Sequence, residues 1–215
     1  MCGTMLSGTM LSKVCKIGLM VIALLVSVNA GAADVLRGKK LAETCQGCHS
    51  APGLRNPSPV YNIPIIGGQH ADYIVSALKA YKSKERSHKT MQAQAASLSE
   101  QDMQDIAEFY ASSQGKVRRN HVNKAKKALG KEKAAACATC HGATGDGDQA
   151  GFPKLAGQHE SYITQALKDY RSGDRNNAIM KGFSANLSIQ DIEALAAYFA
   201  AQEGNLSTPN KVIFK

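Results

Sequence analysis

The chain is 215 residues long, 44% hydrophobic and without tryptophan, which fits one or two soluble globular domains. Its formal charge of +9 would suit a nucleic-acid partner, but the N-terminus reads as an export signal, and export excludes that class.

Residues 1–33 form that signal. Lys13 and Lys16 make a positive n-region, Ile17 to Val28 is an apolar run of 12 residues, and Ala30-Gly31-Ala32 is an A-x-A cleavage site. The mature protein is expected in the periplasm, beginning after Ala32 or Ala33. The run falls short of the about 20 apolar residues a membrane span needs; an uncleaved anchor is the alternative. Cys2 and Cys15 leave with the signal, so of six cysteines only four remain, and no disulfide is expected.

Val35 to Thr44 follows as a helix, with Gly38 where another helix could cross closely or where this one could fray. It leads into Cys45-Gln46-Gly47-Cys48-His49. That C-x-x-C-H pattern is the attachment site of c-type haem: two thiols one helical turn apart reach the two vinyl groups, and the histidine places a ring nitrogen under the iron. A lone C-x-x-C would equally suit a dithiol or half a zinc site. Next come a Pro- and Asn-containing loop, Ala51 to Ile63, and the string Pro64-Ile65-Ile66-Gly67-Gly68-Gln69-His70. Ala71 to Tyr81 has apolar residues at helical spacing. Arg86 and Met91 then precede Ser99-x-x-Asp102, a capping box that opens a helix over Glu100 to Ser112. No segment shows strand alternation.

After a joint near Ser113 to His121 the whole pattern returns. Asn123 to Ala136 is a helix containing Gly130, and Cys137-Ala138-Thr139-Cys140-His141 is a second C-x-x-C-H, 92 residues after the first. Pro153-Lys154-Leu155-Ala156-Gly157-Gln158-His159 recurs at an offset of 89, as do Tyr162, Tyr170, Arg175, Met180 and Ser188-x-x-Asp191. The first copy therefore has three extra residues between its His and its Pro. Two paired motifs inside a duplication displace the zinc and dithiol readings. The fold class is all-α, with two tandem haem domains at 34–116 and 117–215, each holding one covalently attached haem c. Domains of 80 to 90 residues bury little apolar surface, so the apoprotein is expected to be largely unfolded.

The thiols of Cys45, Cys48, Cys137 and Cys140 would bind the two porphyrins, and His49 and His141 the irons. For the sixth iron positions the candidates are Met91 and Met180, matched across the repeat and read as lying in loops before the capped helices. Met103 aligns with Ile192 inside the last helix and reads as a core or surface residue rather than a ligand. His70 and His159 are matched too, and are either rival ligands or surface residues at a helix start. The Pro64 and Pro153 carbonyls could accept the free N–H of the ligand histidines, or the prolines could be plain loop residues. Arg86 and Arg175 could fork onto haem propionates or lie on the surface.

Residues 33–116 carry 10 basic and 8 acidic side chains and residues 117–215 carry 14 and 9. The excess gathers at Arg118, Arg119, Lys124, Lys126, Lys127, Lys131 and Lys133. It reads as a solvated face, or as a patch for an acidic redox partner or for peripheral contact with a membrane.

With both C-x-x-C-H motifs, P-x-[IL]-x-G-Q-H, the downstream methionines and L-S-x-x-D in view, the chain resembles the cytochrome c4 family. The second copy fits better. The first has Ser50 and Ala51 where the family has glycine after the His, and its longer loop puts the surroundings of the first haem in question. The resemblance implies two all-α haem domains about a pseudo-twofold, with propionate edges near the interface, in a monomer without enzymatic activity. It implies an electron carrier of the respiratory chain, between a quinol-oxidising cytochrome bc complex and a haem–copper terminal oxidase. The alternative is an electron-transfer subunit of a periplasmic dehydrogenase, or a dihaem peroxidase-like enzyme.

Overall fold

A computed structural model describes residues 32–117 and 120–209. Residues 1–31 of the expected export signal, and Arg118 and Arg119 of the basic stretch, lie outside the described residues.

The helix expected before each haem motif is broken in two. α1 (Val35–Leu41) is capped by Asp34, whose carboxylate accepts from the Leu36 and Arg37 N–H groups. It stops at Ala42, and α2 (Glu43–His49) carries the first C-x-x-C-H. The first half continues with a hairpin of β1 (Arg55–Pro57) and β2 (Val60–Asn62), then α3 (Ala71–Lys82), α4 (Lys89–Ala96), α5 (Glu100–Ser112) and β3 (Gly115–Lys116). In the second half α6 (Lys124–Lys133) breaks at Ala134 and α7 (Ala135–His141) carries the second motif. α8 (Glu160–Ser172), α9 (Ala178–Ser184), α10 (Ile189–Ala200) and β4 (Thr208–Pro209) complete it. Ala42 and Ala134 are both buried, and turn-like backbone there re-aims the following turn.

Two expectations need correction. Short strands exist: β1–β2 is an antiparallel hairpin, and β3 pairs with β4. With two or three residues each, they are too short to show a two-residue period in sequence. The extra residues of the first copy thus form a hairpin, and it touches the other half: Asn62 N–H donates to Ser161 Oγ at 3.0 Å, which donates to Asn62 Oδ1 at 2.9 Å.

Each half is held by its first helix crossing its last. Gly38 of α1 sits against the Asp105 carbonyl of α5, and Gly130 of α6 against the Ala194 carbonyl of α10; a Cβ at either would overlap that oxygen. Close crossing is therefore the reason for both glycines. Both capping boxes form, Ser99 with Asp102 and Ser188 with Asp191. The first core joins Ile74, Leu78, Tyr81, Met103, Ile106 and Tyr110, with Cys45 and Met91 packed against it. The second joins Ile163, Leu195, Ala196, Tyr198 and Phe199, with Cys137 and Leu155 against it. Met103 is core rather than surface.

Candidate functional site

The helical turn formed by α2 puts Cys45 and Cys48 three residues apart, and α7 does the same for Cys137 and Cys140. None of the four is in a disulfide. Burial pushes the Cys45 and Cys137 thiols up. Among the described residues no group of three or more His, Cys, Asp or Glu could hold a metal ion.

The histidine that ends each motif is oriented by a proline carbonyl. His49 Nδ1 lies 2.9 Å from Pro64 O, and His141 Nδ1 lies 2.8 Å from Pro153 O. A carbonyl only accepts, so Nδ1 carries the proton and Nε2 keeps its lone pair for a ligand. Burial lowers both imidazole pKa values, the carbonyls offsetting part of this, and both rings are neutral near pH 7. The prolines are not plain loop residues.

Met91 and Met180 sit in the first turns of α4 and α9, not in the loops before them. The Met91 N–H donates to His88 Nδ1 at 3.2 Å and the Met180 N–H to Asn177 Oδ1 at 2.9 Å. This accounts for a mismatch in the repeat: His88 and Asn177 do one job, accepting a bond from the helix start. In the second half, a cleft of about 1000 Å³, open solvent included, is lined by Cys137, His141, Pro153, Leu155, Met180 and Phe199. Gln69 and Tyr73 of the first half also line it. An apolar cleft with thiol, imidazole and thioether groups at its wall is the chemistry a haem c requires.

The remaining matched residues meet where the two halves pack together. His70 is half-buried, and its Nε2 lies 2.8 Å from Gly147 O of the second half. His159 is buried, and both histidines precede helices as cap residues. Arg86 and Arg175 are buried as well, which overturns their surface reading. Their guanidinium carbons lie 4.5 Å from the ring centroid of Tyr81 and 4.4 Å from that of Tyr170. Each donates across the interface at 2.6 Å, Arg86 to the Tyr162 hydroxyl and Arg175 to the Tyr73 hydroxyl. Backbone bonds from Ser87 N–H to Asp174 O and from Asn176 N–H to Glu85 O, both 2.7 Å, flank them. Burial would raise the Tyr73 hydroxyl, but Arg175 and Arg86 outweigh it and pull it down to about 8.

The residues that sequence reasoning missed are Gln69 and Gln158. Each is 3% exposed and clamps the backbone of the opposite half: Gln69 at Lys154 and Gln158 at Ile65. Their recurrence at one offset was the available signal, but a repeat does not say which surface a residue faces.

A family model described as cytochrome c matches the chain twice, over residues 35–114 and 127–202. A cytochrome c4 of Pseudomonas aeruginosa is 36% identical over 179 residues, 78% of this chain and 88% of the relative. A thiosulfate dehydrogenase electron acceptor of Stutzerimonas stutzeri is 30% identical over 202 residues, 84% of this chain and 91% of the relative. The crystal structure of reduced cytochrome c4 from Pseudomonas stutzeri superposes with a TM-score of 0.68 at 32% identity, covering 80% of this chain and all of that one.

Proposed function

The chain belongs to the cytochrome c family and has its two covalently bound haem c groups, and from that we propose that it is an exported two-haem electron carrier, not an enzyme. In this reading Cys45 and Cys48 hold the first haem and Cys137 and Cys140 the second. His49 and Met91 ligate the first iron, and His141 and Met180 the second. The haem supplies a one-electron couple, and a His/Met pair favours the ferrous state and a high potential. The protein's own part is to orient each imidazole through Pro64 or Pro153, hold the thioether, and exclude water. The observation that carries this reading is the convergence of Cys137, His141 and Met180 on one cleft, with the His–Pro bond repeated in both halves.

Arg86 and Arg175 are suited to the haem propionates: two buried cations whose present partners are tyrosine hydroxyls leave positive charge at the interface for carboxylates to offset. The donor is a quinol-oxidising cytochrome complex and the acceptor a terminal oxidase. A second reading has a specific observation behind it, the similarity to a thiosulfate dehydrogenase electron acceptor. There the donor is a periplasmic dehydrogenase.

The test is the optical spectrum of the dithionite-reduced protein before and after carbon monoxide. Neither haem should shift, and Met180→Ala should open one site only. A shift of the unaltered protein would mean a vacant or labile sixth position, and would turn the assignment toward an enzyme.

A further inference from the structure

We propose that the ligand histidine of each haem is tuned by a glutamine of the opposite domain, Gln158 acting on the first haem and Gln69 on the second. This rests on His49 and His141 being the iron ligands. The carbonyl of Pro64, which accepts from His49 Nδ1 at 2.9 Å, and the N–H of Ile65 are the two ends of one peptide unit. That N–H donates to Gln158 Oε1 at 2.9 Å. In the second domain the Pro153 carbonyl accepts from His141 Nδ1 at 2.8 Å, and the N–H of the same peptide unit, that of Lys154, donates to Gln69 Oε1 at 2.8 Å. Two relays therefore run from imidazole through one peptide to a side chain of the other domain.

The direction of each amide is set by its partners. Oε1 of each glutamine takes a second backbone N–H at 3.0 Å, from His70 or His159. Nε2 donates to a carbonyl, Gln69 to Lys154 O at 3.1 Å and Gln158 to Ile65 O at 2.8 Å. At 3% exposure both amides are shielded from bulk water.

The consequence for the iron follows from polarisation. An acceptor on a peptide N–H makes the carbonyl at the other end of that peptide a stronger acceptor. A stronger acceptor draws the Nδ1 proton further and raises the basicity of Nε2. A more basic ligand favours ferric iron, so each glutamine lowers the potential of the haem in the other domain. The glutamines are positioning residues, acting through proline peptides, and they make each haem's potential depend on the two domains being docked.

The experiment is a redox titration of the holoprotein with Gln158→Leu, Gln69→Leu and Gln158→Glu. NMR of the His49 and His141 Nδ1 protons tells the haems apart. Gln158→Leu should raise the potential of the first haem and leave the second in place, with only the His49 Nδ1 proton moving to the position of a weaker hydrogen bond. Gln69→Leu should do the reverse. Gln158→Glu keeps the acceptor oxygen and should leave the first haem at or below its original potential. An upward shift in the glutamine's own domain, an equal rise with Leu and Glu, or unmoved potentials in a variant inert to carbon monoxide would overturn the relay alone. Carbon monoxide binding by the unaltered protein would overturn the ligand assignment, and the relay with it.

Discussion

Asp191 shows how one side chain serves both the helix end and the surface charge. It closes the capping box with Ser188 and receives Lys133 Nζ at 2.7 Å. Lys133, with the Ser188 hydroxyl and N–H, holds its carboxyl down to about 2. A carboxyl depressed in the folded state stabilises the fold above its unfolded value, about 3.9, and that contribution is lost as pH falls through the folded one. Acid unfolding of the holoprotein between about pH 4 and pH 2 should therefore be less steep in Asp191→Asn, which has already lost the ion pair. An unchanged slope would show that the pair contributes nothing there. Lys126 is likewise paired, with Glu193 at 2.7 Å, so part of the basic stretch balances its own helix neighbours. That favours a solvated face over a docking patch at those two lysines, while Lys124, Lys127 and Lys131 remain exposed.

At the scale of elements, the crossing of first and last helices frames each domain, and a single atom sets its tightness. The neighbour that a Cβ at Gly38 or Gly130 would meet is a backbone carbonyl, which cannot swing aside as a long side chain would. Gly38→Ala should cost about 3 kcal/mol of stability, the upper range for overpacking. Denaturant titration of the holoprotein checks this, and a loss below about 1 kcal/mol would mean that the helices separate freely. The break at Ala42 and Ala134 was not legible, because alanine is the best helix former and nothing local announces a turn. The break follows from packing, since both alanines are buried against the core. The methionines moved from loop to helix for a related reason. Their caps are one His and one Asn, unlike in sequence and alike in accepting an N–H.

For the whole molecule, the two halves are interlocked more than a tandem duplication requires. β4, near the C-terminus, pairs with β3 at the end of the first half, and Ser207 N–H donates to Gly67 O at 2.9 Å. The glutamine clamps, the Arg–Tyr pairs and the β1–β2 hairpin add further bonds across the interface. Yet each half has a small core, with Cys45 and Met91 packed against the first and Cys137 against the second. A covalently held porphyrin would supply the rest of that core. The chain produced without haem, with all four motif cysteines changed to alanine, should show little helix by far-UV circular dichroism. A fully helical spectrum would mean that the protein scaffold is self-sufficient.

The sequence by itself determined the duplication, the haem motifs, the matched methionines and the capping boxes, because those depend on residue type and spacing within one local stretch. The assignment of the Pro64 and Pro153 carbonyls as acceptors that orient the histidines was also open to it, as one choice of two. Only the tertiary structure decided what Gln69, Gln158, Arg86, Arg175 and His70 do. Their partners lie some 75 to 100 residues away in the chain, and a hydrogen bond between halves depends on a packing geometry that no local pattern encodes.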